Sequence, residues 1–199
     1  GMVELPEGRM KSREGTVVDA DDLVKETQSL ASEELKERYT LTQEEMNDRS
    51  LKIALSAIKY TLLRIDILKN MMFDPKKAIS FEGDTGPYLL YSYARASSII
   101  RKSTSTTPVT IGSLEASEVK LIKKLNYFSS SVNFAYEKLS PSVIANYAFE
   151  LAQCFNEFYH GCKVIGSNEE SFRIQLVKAF RSVLGNCLWI LGIDSIEEM

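Results

Sequence analysis

Three stretches of the 199-residue sequence combine side-chain types able to do chemistry. Gly8-Arg9-Met10-Lys11-Ser12-Arg13-Glu14-Gly15 is a glycine-bounded basic loop. Its alternating cations and accessible backbone N–H groups suit a phosphate. They suit a solvated surface hairpin as well, because short Lys/Arg-rich stretches are weak signals. A second stretch, Phe81-Glu82-Gly83-Asp84-Thr85-Gly86-Pro87-Tyr88, continues to Tyr91, Tyr93 and Arg95. Tyrosines and an arginine on one helix could stack on nucleic-acid bases, or the rings could pack in a core with only the hydroxyl wet. The third, Phe155-Asn156-Glu157-Phe158-Tyr159-His160, sets Asn, Tyr and His near a helix end. There they could read a base edge, or His160 could serve only the negative end of the helix dipole.

Holding these residues in place requires helices. Asp21 and Asp22 supply a helix start, and residues 22–38 read as one helix with an exposed Glu/Lys face. Residues 43–70 form the longest periodic segment, with Leu51, Ala54, Leu55, Ile58, Leu62 and Ile65 at three- and four-residue steps, ended by Asp74-Pro75. The turn at 80–87 leads into a helix from Pro87 to Lys102, with proline in its first turn. Residues 103–113 are a Ser/Thr-rich loop around Pro108. Three further helices are expected over 115–138, 141–160 and 169–191, with Pro141 opening the second and Gly192 stopping the last. The only extended segments, Met2–Leu5 and Thr16–Val18, predict one short β-hairpin. The fold class is therefore all-α: a helical bundle over 80–199, preceded in 1–79 by a short β-hairpin and loop and by connecting helices.

Composition excludes several classes of function. Apolar residues make up 44% and charged residues 26%, enough for a packed core without staples. The net charge of −3 excludes nucleic-acid binding by bulk positive charge, though not by a local basic site. Cys154, Cys162 and Cys187 are an odd number with no CxxC, and His160 is the only histidine. A disulfide framework, a structural zinc site and a two-histidine metal motif are all unsupported, so no metal ligands are assigned. No apolar run is long enough to span a bilayer and no secretory leader opens the sequence, so the expected location is the cytoplasm, with no membrane partner.

The three stretches, in this order and at these separations, resemble an arginyl-tRNA synthetase. Residues 1–18 resemble the class I signature loop, usually written KMSKS; here it reads Arg9-Met10-Lys11-Ser12-Arg13. Residues 81–95 resemble the segment that opens the family's helical DALR anticodon-binding domain. The closing residues Leu176–Asn186, Leu191-Gly192-Ile193 and Glu198-Met199 resemble its C-terminus. The resemblance implies a C-terminal fragment of an enzyme that uses ATP, with Mg2+, to attach arginine to tRNA-Arg. The Rossmann catalytic domain and the N-terminal domain would lie outside this chain. On that reading Arg9, Lys11, Ser12 and Arg13 belong to the ATP loop of an incomplete site, so the fragment alone is inactive, binds no cofactor of its own and is a monomer. Asn156, Tyr159, His160 and Met199, with Tyr88, Tyr91 and Arg95, are the residues expected at the anticodon. The rival reading is a helical protein–protein interaction domain without a catalytic role. An anticodon binder should gather Arg and Lys on one face; an interaction module should expose an apolar patch.

Overall fold

The structure, a computed structural model, describes residues 1–4, 6, 19–104, 109 and 111–199. The basic loop residues Arg9, Lys11, Ser12 and Arg13, and the segment Thr16–Val18, lie outside the described residues. Among those described, the chain is almost wholly helical: α1 (Ala20–Arg38), α2 (Gln43–Leu63), α3 (Pro75–Ala78), α4 (Gly86–Lys102), α5 (Ala116–Asn126), α6 (Phe128–Lys138), α7 (Ser142–Gly161) and α8 (Glu170–Ile190). Two strands of two residues each, β1 (Val3–Glu4) and β2 (Met71–Met72), complete the fold.

Helix starts follow from local chemistry. Thr42 and Glu45 form a reciprocal capping box at α2, which satisfies two otherwise orphaned N–H groups and holds the Glu45 carboxyl below its ordinary range. Asp74 caps α3 ahead of Pro75, and the Thr85 hydroxyl accepts from the Tyr88 N–H at the start of α4. Gly86 allows α4 to begin hard against α2, since a Cβ there would overlap the Ser56 carbonyl. At the far end, Gly192 (φ +67°) turns the chain out of α8, and Ile193 N–H closes on the Leu188 carbonyl.

The main core is formed where α4, α7 and α8 bury Leu89, Leu90, Leu151, Phe155, Phe158, Val177, Phe180 and Leu184 against one another. It extends without a break to Leu35 of α1 and to Ile53 and Tyr60 of α2. Phe155 and Phe180 stack at 3.8 Å, nearly parallel, and fix α7 against α8. A smaller cluster joins Ala57, Met71, Phe73, Ala78 and Ile79.

Among the described residues Val3 pairs in parallel with Met71 and Glu4 with Met72, with the α1–α2 segment in the crossover, since parallel strands cannot be joined by a tight turn; Thr16–Val18, the second arm of the expected β-hairpin, lies outside the described residues. Three local expectations are corrected. The helix expected over 43–70 stops at Leu63, and the Asp66 carboxylate then accepts from the Leu68 N–H in a side-chain turn. Its buried face is Met46, Ser50, Ile53, Ala54, Ala57 and Tyr60 rather than the leucine stripe, leaving Leu51 and Leu62 exposed, because small residues let α1 and α4 approach closely. The helix expected over 115–138 breaks at Tyr127, which separates α5 from α6. There the Lys124 carbonyl accepts from Tyr127 N–H and from the Tyr147 hydroxyl.

Candidate functional site

The face of α4 that carries Tyr88, Tyr91, Arg95, Ser98 and Lys102 follows a helical step of three and four residues. This face does not close on the core. It forms one wall of a cleft whose other walls are the C-terminal turn of α7, the loop Cys162–Ile165, the α1 end at Tyr39, and the chain terminus. The main recess has a volume of about 630 Å³ and takes Tyr39, Tyr91, Arg95, Tyr159, Lys163 and Met199 among its lining. A smaller recess of about 400 Å³ shares Tyr39, Tyr91 and Arg95, and adds Arg38, Tyr88, Asn156 and His160.

Arg95 organises the cleft. Its guanidinium carbon lies 4.5 Å from the Tyr91 ring centroid and 4.9 Å from that of Tyr159. The same group donates to Asn156 Oδ1 at 2.7 Å and to the Tyr91 hydroxyl at 2.8 Å. Asn156 in turn donates from Nδ2 to the Tyr88 hydroxyl at 2.7 Å and to Ser92 Oγ at 3.2 Å. Five of the seven residues expected at this site therefore form one connected unit: Tyr88, Tyr91, Arg95, Asn156 and Tyr159. His160 meets Tyr159 edge-on at 5.6 Å and lines the smaller recess. Met199 is half-buried and lines the larger one. Tyr93, named with these aromatics in the sequence, points into the core and is only 8% exposed.

The electrostatics are locally positive although the chain carries −3 overall. Arg95, Arg101, Lys102 and Lys163 line the main recess, with Glu198 as its acidic member. Arg101 is paired to Glu198 at 3.1 Å, while Lys102 and Lys163 make no ion pair among the described residues. Those two ammonium groups are the ones available to an anion. Arg95, by contrast, is a brace between rings, with both of its terminal nitrogens already engaged.

The loop wall is fixed by buried polar chemistry. Arg173 Nε donates to Glu118 Oε1 at 2.7 Å, and its Nη1 donates to the Lys163 carbonyl at 2.8 Å. The second Glu118 oxygen accepts from the Glu115 N–H at 2.7 Å. On the other side of the loop, Glu170 accepts from Gly166 N–H and from Ser103 Oγ, both at 2.7 Å. These two bonds hold the Glu170 carboxyl below its ordinary range. Burial pushes the Cys187 thiol up to about 12, which makes it an inert core residue. Among the described residues no group of three His, Cys, Asp or Glu side chains is placed to hold a metal ion, and no helix is long and apolar enough to cross a membrane.

Sequence reasoning missed Tyr39, Lys102 and Lys163. Lys102 was within reach, because it continues the 88–91–95–98 face of α4. Tyr39 and Lys163 were not, because each joins the cleft only through tertiary packing. An apolar surface also exists elsewhere: Trp189 is 82% exposed, and Phe128, Val132 and Ile190 beside it line a separate groove that shares no residue with the cleft.

What the arrangement can do chemically is stack flat, polar-edged groups on tyrosine faces beside lysines that donate to phosphate. Comparison with known proteins points the same way. Residues 89–199 match the family model described as the DALR anticodon binding domain. The arginine–tRNA ligase of Bacteroides thetaiotaomicron is 44% identical over 211 residues, covering all of this chain and 35% of that protein. The corresponding protein of Flavobacterium psychrophilum is 41% identical over 206 residues, covering all of this chain and 34% of that protein. Among solved structures, Thermus thermophilus arginyl-tRNA synthetase superposes with a TM-score of 0.89 at 29% identity, over all of this chain and 34% of that one. Arginyl-tRNA synthetase from Plasmodium falciparum gives 0.81 at 27% identity, over 92% of this chain and 34% of that one. The chain thus spans about a third of the length of the curated relatives it matches.

Proposed function

Since this chain belongs to the DALR anticodon binding domain family, we propose that its cleft takes the anticodon stem-loop of tRNA-Arg and that it is the C-terminal part of an arginine–tRNA ligase. The observation that carries this reading is the Tyr91–Arg95–Tyr159 stack, opening on a recess shared with Met199, Lys102 and Lys163. Unstacked loop bases lie against the exposed faces of Tyr159 and Tyr91, where stacking needs no fixed sequence. Asn156 and His160 offer polar atoms to base edges in the smaller recess. The Met199 thioether packs on a base face without a required hydrogen-bond geometry. Lys102 and Lys163 meet the phosphates that follow those bases.

In the longer protein, ATP with Mg2+ activates arginine, and arginine then passes to the 3′ end of the tRNA. Residues 1–79 are the end of the catalytic domain with its connecting helices, and 80–199 the anticodon-binding domain. Arg9, Lys11, Ser12 and Arg13 act on ATP phosphates there. Supporting this division, the parallel ladder is two residues long, too short to stand alone, and Met2, Ile67, Leu68 and Met72 beside it are exposed apolar side chains. The 199-residue chain by itself binds and does not catalyse; the protein is a cytoplasmic monomer.

The test is a fluorescence titration of the chain with a labelled stem-loop carrying an arginine anticodon, against the same stem with a scrambled loop. The reading requires tighter binding of the arginine loop. Equal binding of the two loops by the folded chain overturns it.

A further inference from the structure

The last residues of the chain are strapped down by Arg101 at the cleft edge and by further groups that do not line the cleft. After Gly192, Ile193 and Ile196 enter the core, at 4% and 6% exposure, and bring Glu197 over α4 and α8. The Tyr93 hydroxyl donates to Glu197 Oε1 at 3.3 Å. Arg181 of α8 reaches the same carboxylate oxygen at 3.5 Å and donates from Nε to the Tyr93 hydroxyl at 3.4 Å. Its guanidinium carbon also lies 5.6 Å from the Tyr93 ring centroid. Arg101 donates to the Glu197 carbonyl at 3.2 Å. Tyr93 can reach the tail because Gly185 leaves room for its ring: a Cβ at that position would stand 3.2 Å from Tyr93 Cε2. None of Tyr93, Arg181 and Glu197 lines either recess, yet Met199 two residues on lines the larger one.

We infer that Tyr93, Arg181 and Glu197 are positioning residues that hold Met199 at the cleft, so that α8 sets RNA affinity through the chain terminus. This rests on the anticodon reading for its RNA consequence and on geometry alone for the placing of Met199. A free terminus would sample many conformers and lose entropy on meeting a base. One held at Glu197 by a tyrosine hydroxyl and an arginine has already lost it.

The experiment uses the full chain labelled with 13C at the methionine methyls. There are six methionines; Met46 and Met71 are buried and report on the two cores, and Met199 is assigned by deleting residues 198 and 199. Tyr93→Phe removes only the hydroxyl and keeps the ring in place. Glu197→Gln removes the charge from a half-exposed side chain that contributes no apolar surface to the core. In both variants the Met199 methyl resonance should move and sharpen while those of Met46 and Met71 stay put. Affinity for the arginine-anticodon stem-loop should fall about threefold to tenfold, part of one stacking contact. In the chain lacking residues 198 and 199, Tyr93→Phe should cost nothing further. An unmoved Met199 methyl in both variants overturns the inference. So does a Tyr93→Phe loss of equal size in the truncated chain. A wild-type chain that shows no preference for the arginine loop removes the RNA reading alone, and the methyl spectrum still decides whether the network places Met199.

Discussion

The guanidinium carbon of Arg95 stands 4.9 Å from the centroid of the Tyr159 ring, joining α4 to the last turn of α7 within the cleft. The same guanidinium engages Tyr91 and Asn156, so one side chain sets the separation of two aromatic faces. A planar fork can do this and an ammonium cannot.

Arg95→Lys should therefore weaken binding of the arginine stem-loop about tenfold, or ~1.4 kcal/mol. Loss of about 1 kcal/mol of packing should lower the thermal midpoint by only about 2–4 °C for a chain of this size. The checks are a titration and a melt followed by circular dichroism. Unchanged affinity in the folded variant would show that the spacing of Tyr91 and Tyr159 is irrelevant to RNA.

Lys102→Ala and Lys163→Ala should act differently. Each removes a cation not spent on an internal ion pair among the described residues. Each should weaken arginine and scrambled loops alike and lower the slope of log affinity against log salt by about 0.7, the value for one single-stranded phosphate contact. Titrations at four salt concentrations measure the slope. A loss confined to the arginine loop would make these lysines base readers instead.

How much of this was legible in the sequence depends on the range of the interaction. Thr85, Gly86 and Pro87 announce the start of α4, and Gly192 announces the end of α8, because capping acts within a few residues. Tyr88, Tyr91 and Arg95 of the cleft were visible for the same reason, since they lie on one face of α4, whereas Tyr39 and Lys163 join it only through packing. The end of α2 was not visible, because the residues that follow it answer to distant partners. Arg64 pairs with Asp84, and Met71 and Phe73 bond to carbonyls of Met2 and Glu4. The break at Tyr127 escaped notice because the Tyr147 hydroxyl, from another helix, bonds the Lys124 carbonyl. In Arg95 the sequence showed a cation beside tyrosines; only packing showed that its terminal nitrogens are spent on Asn156 and Tyr91.

Glu118 and Arg173 form a nearly dry ion pair, with side chains 2% and 10% exposed. Glu118→Ala leaves the buried guanidinium with only the looser Glu169 contact at 3.7 Å and strips the Glu115 N–H, and should cost about 3 kcal/mol in urea denaturation, the low end for breaking a buried pair. The double variant Glu118→Met with Arg173→Met should recover most of that stability, since replacing both charges removes the desolvation cost. It should still bind RNA weakly, because the bond to the Lys163 carbonyl is lost. Full binding by the double variant would show that the loop wall needs no such tie.

Glu170 gives a dependence on pH. Its carboxyl is held below the ordinary value of 4.5 by Gly166 N–H first and Ser103 second. A depressed carboxylate adds stability that is complete above the unfolded value and is lost as pH falls through the folded one. The melting difference between the wild-type chain and Glu170→Gln should thus be constant from pH 7 down to about 5, then shrink below about 4.5. Melts across that range measure it; a difference that grows on acidification contradicts the assigned bonds.

The central claim is that anticodon bases occupy the cleft bounded by Tyr91, Arg95, Tyr159 and Met199. It is tested most directly by photocrosslinking a stem-loop with 5-iodouridine placed in the anticodon and mapping the attached peptide by mass spectrometry. The account predicts attachment to the peptide carrying Tyr159 or to that carrying Tyr91, reduced by competing unlabelled arginine stem-loop. Attachment to the α6–α8 groove instead, at Phe128 or Trp189, would contradict it.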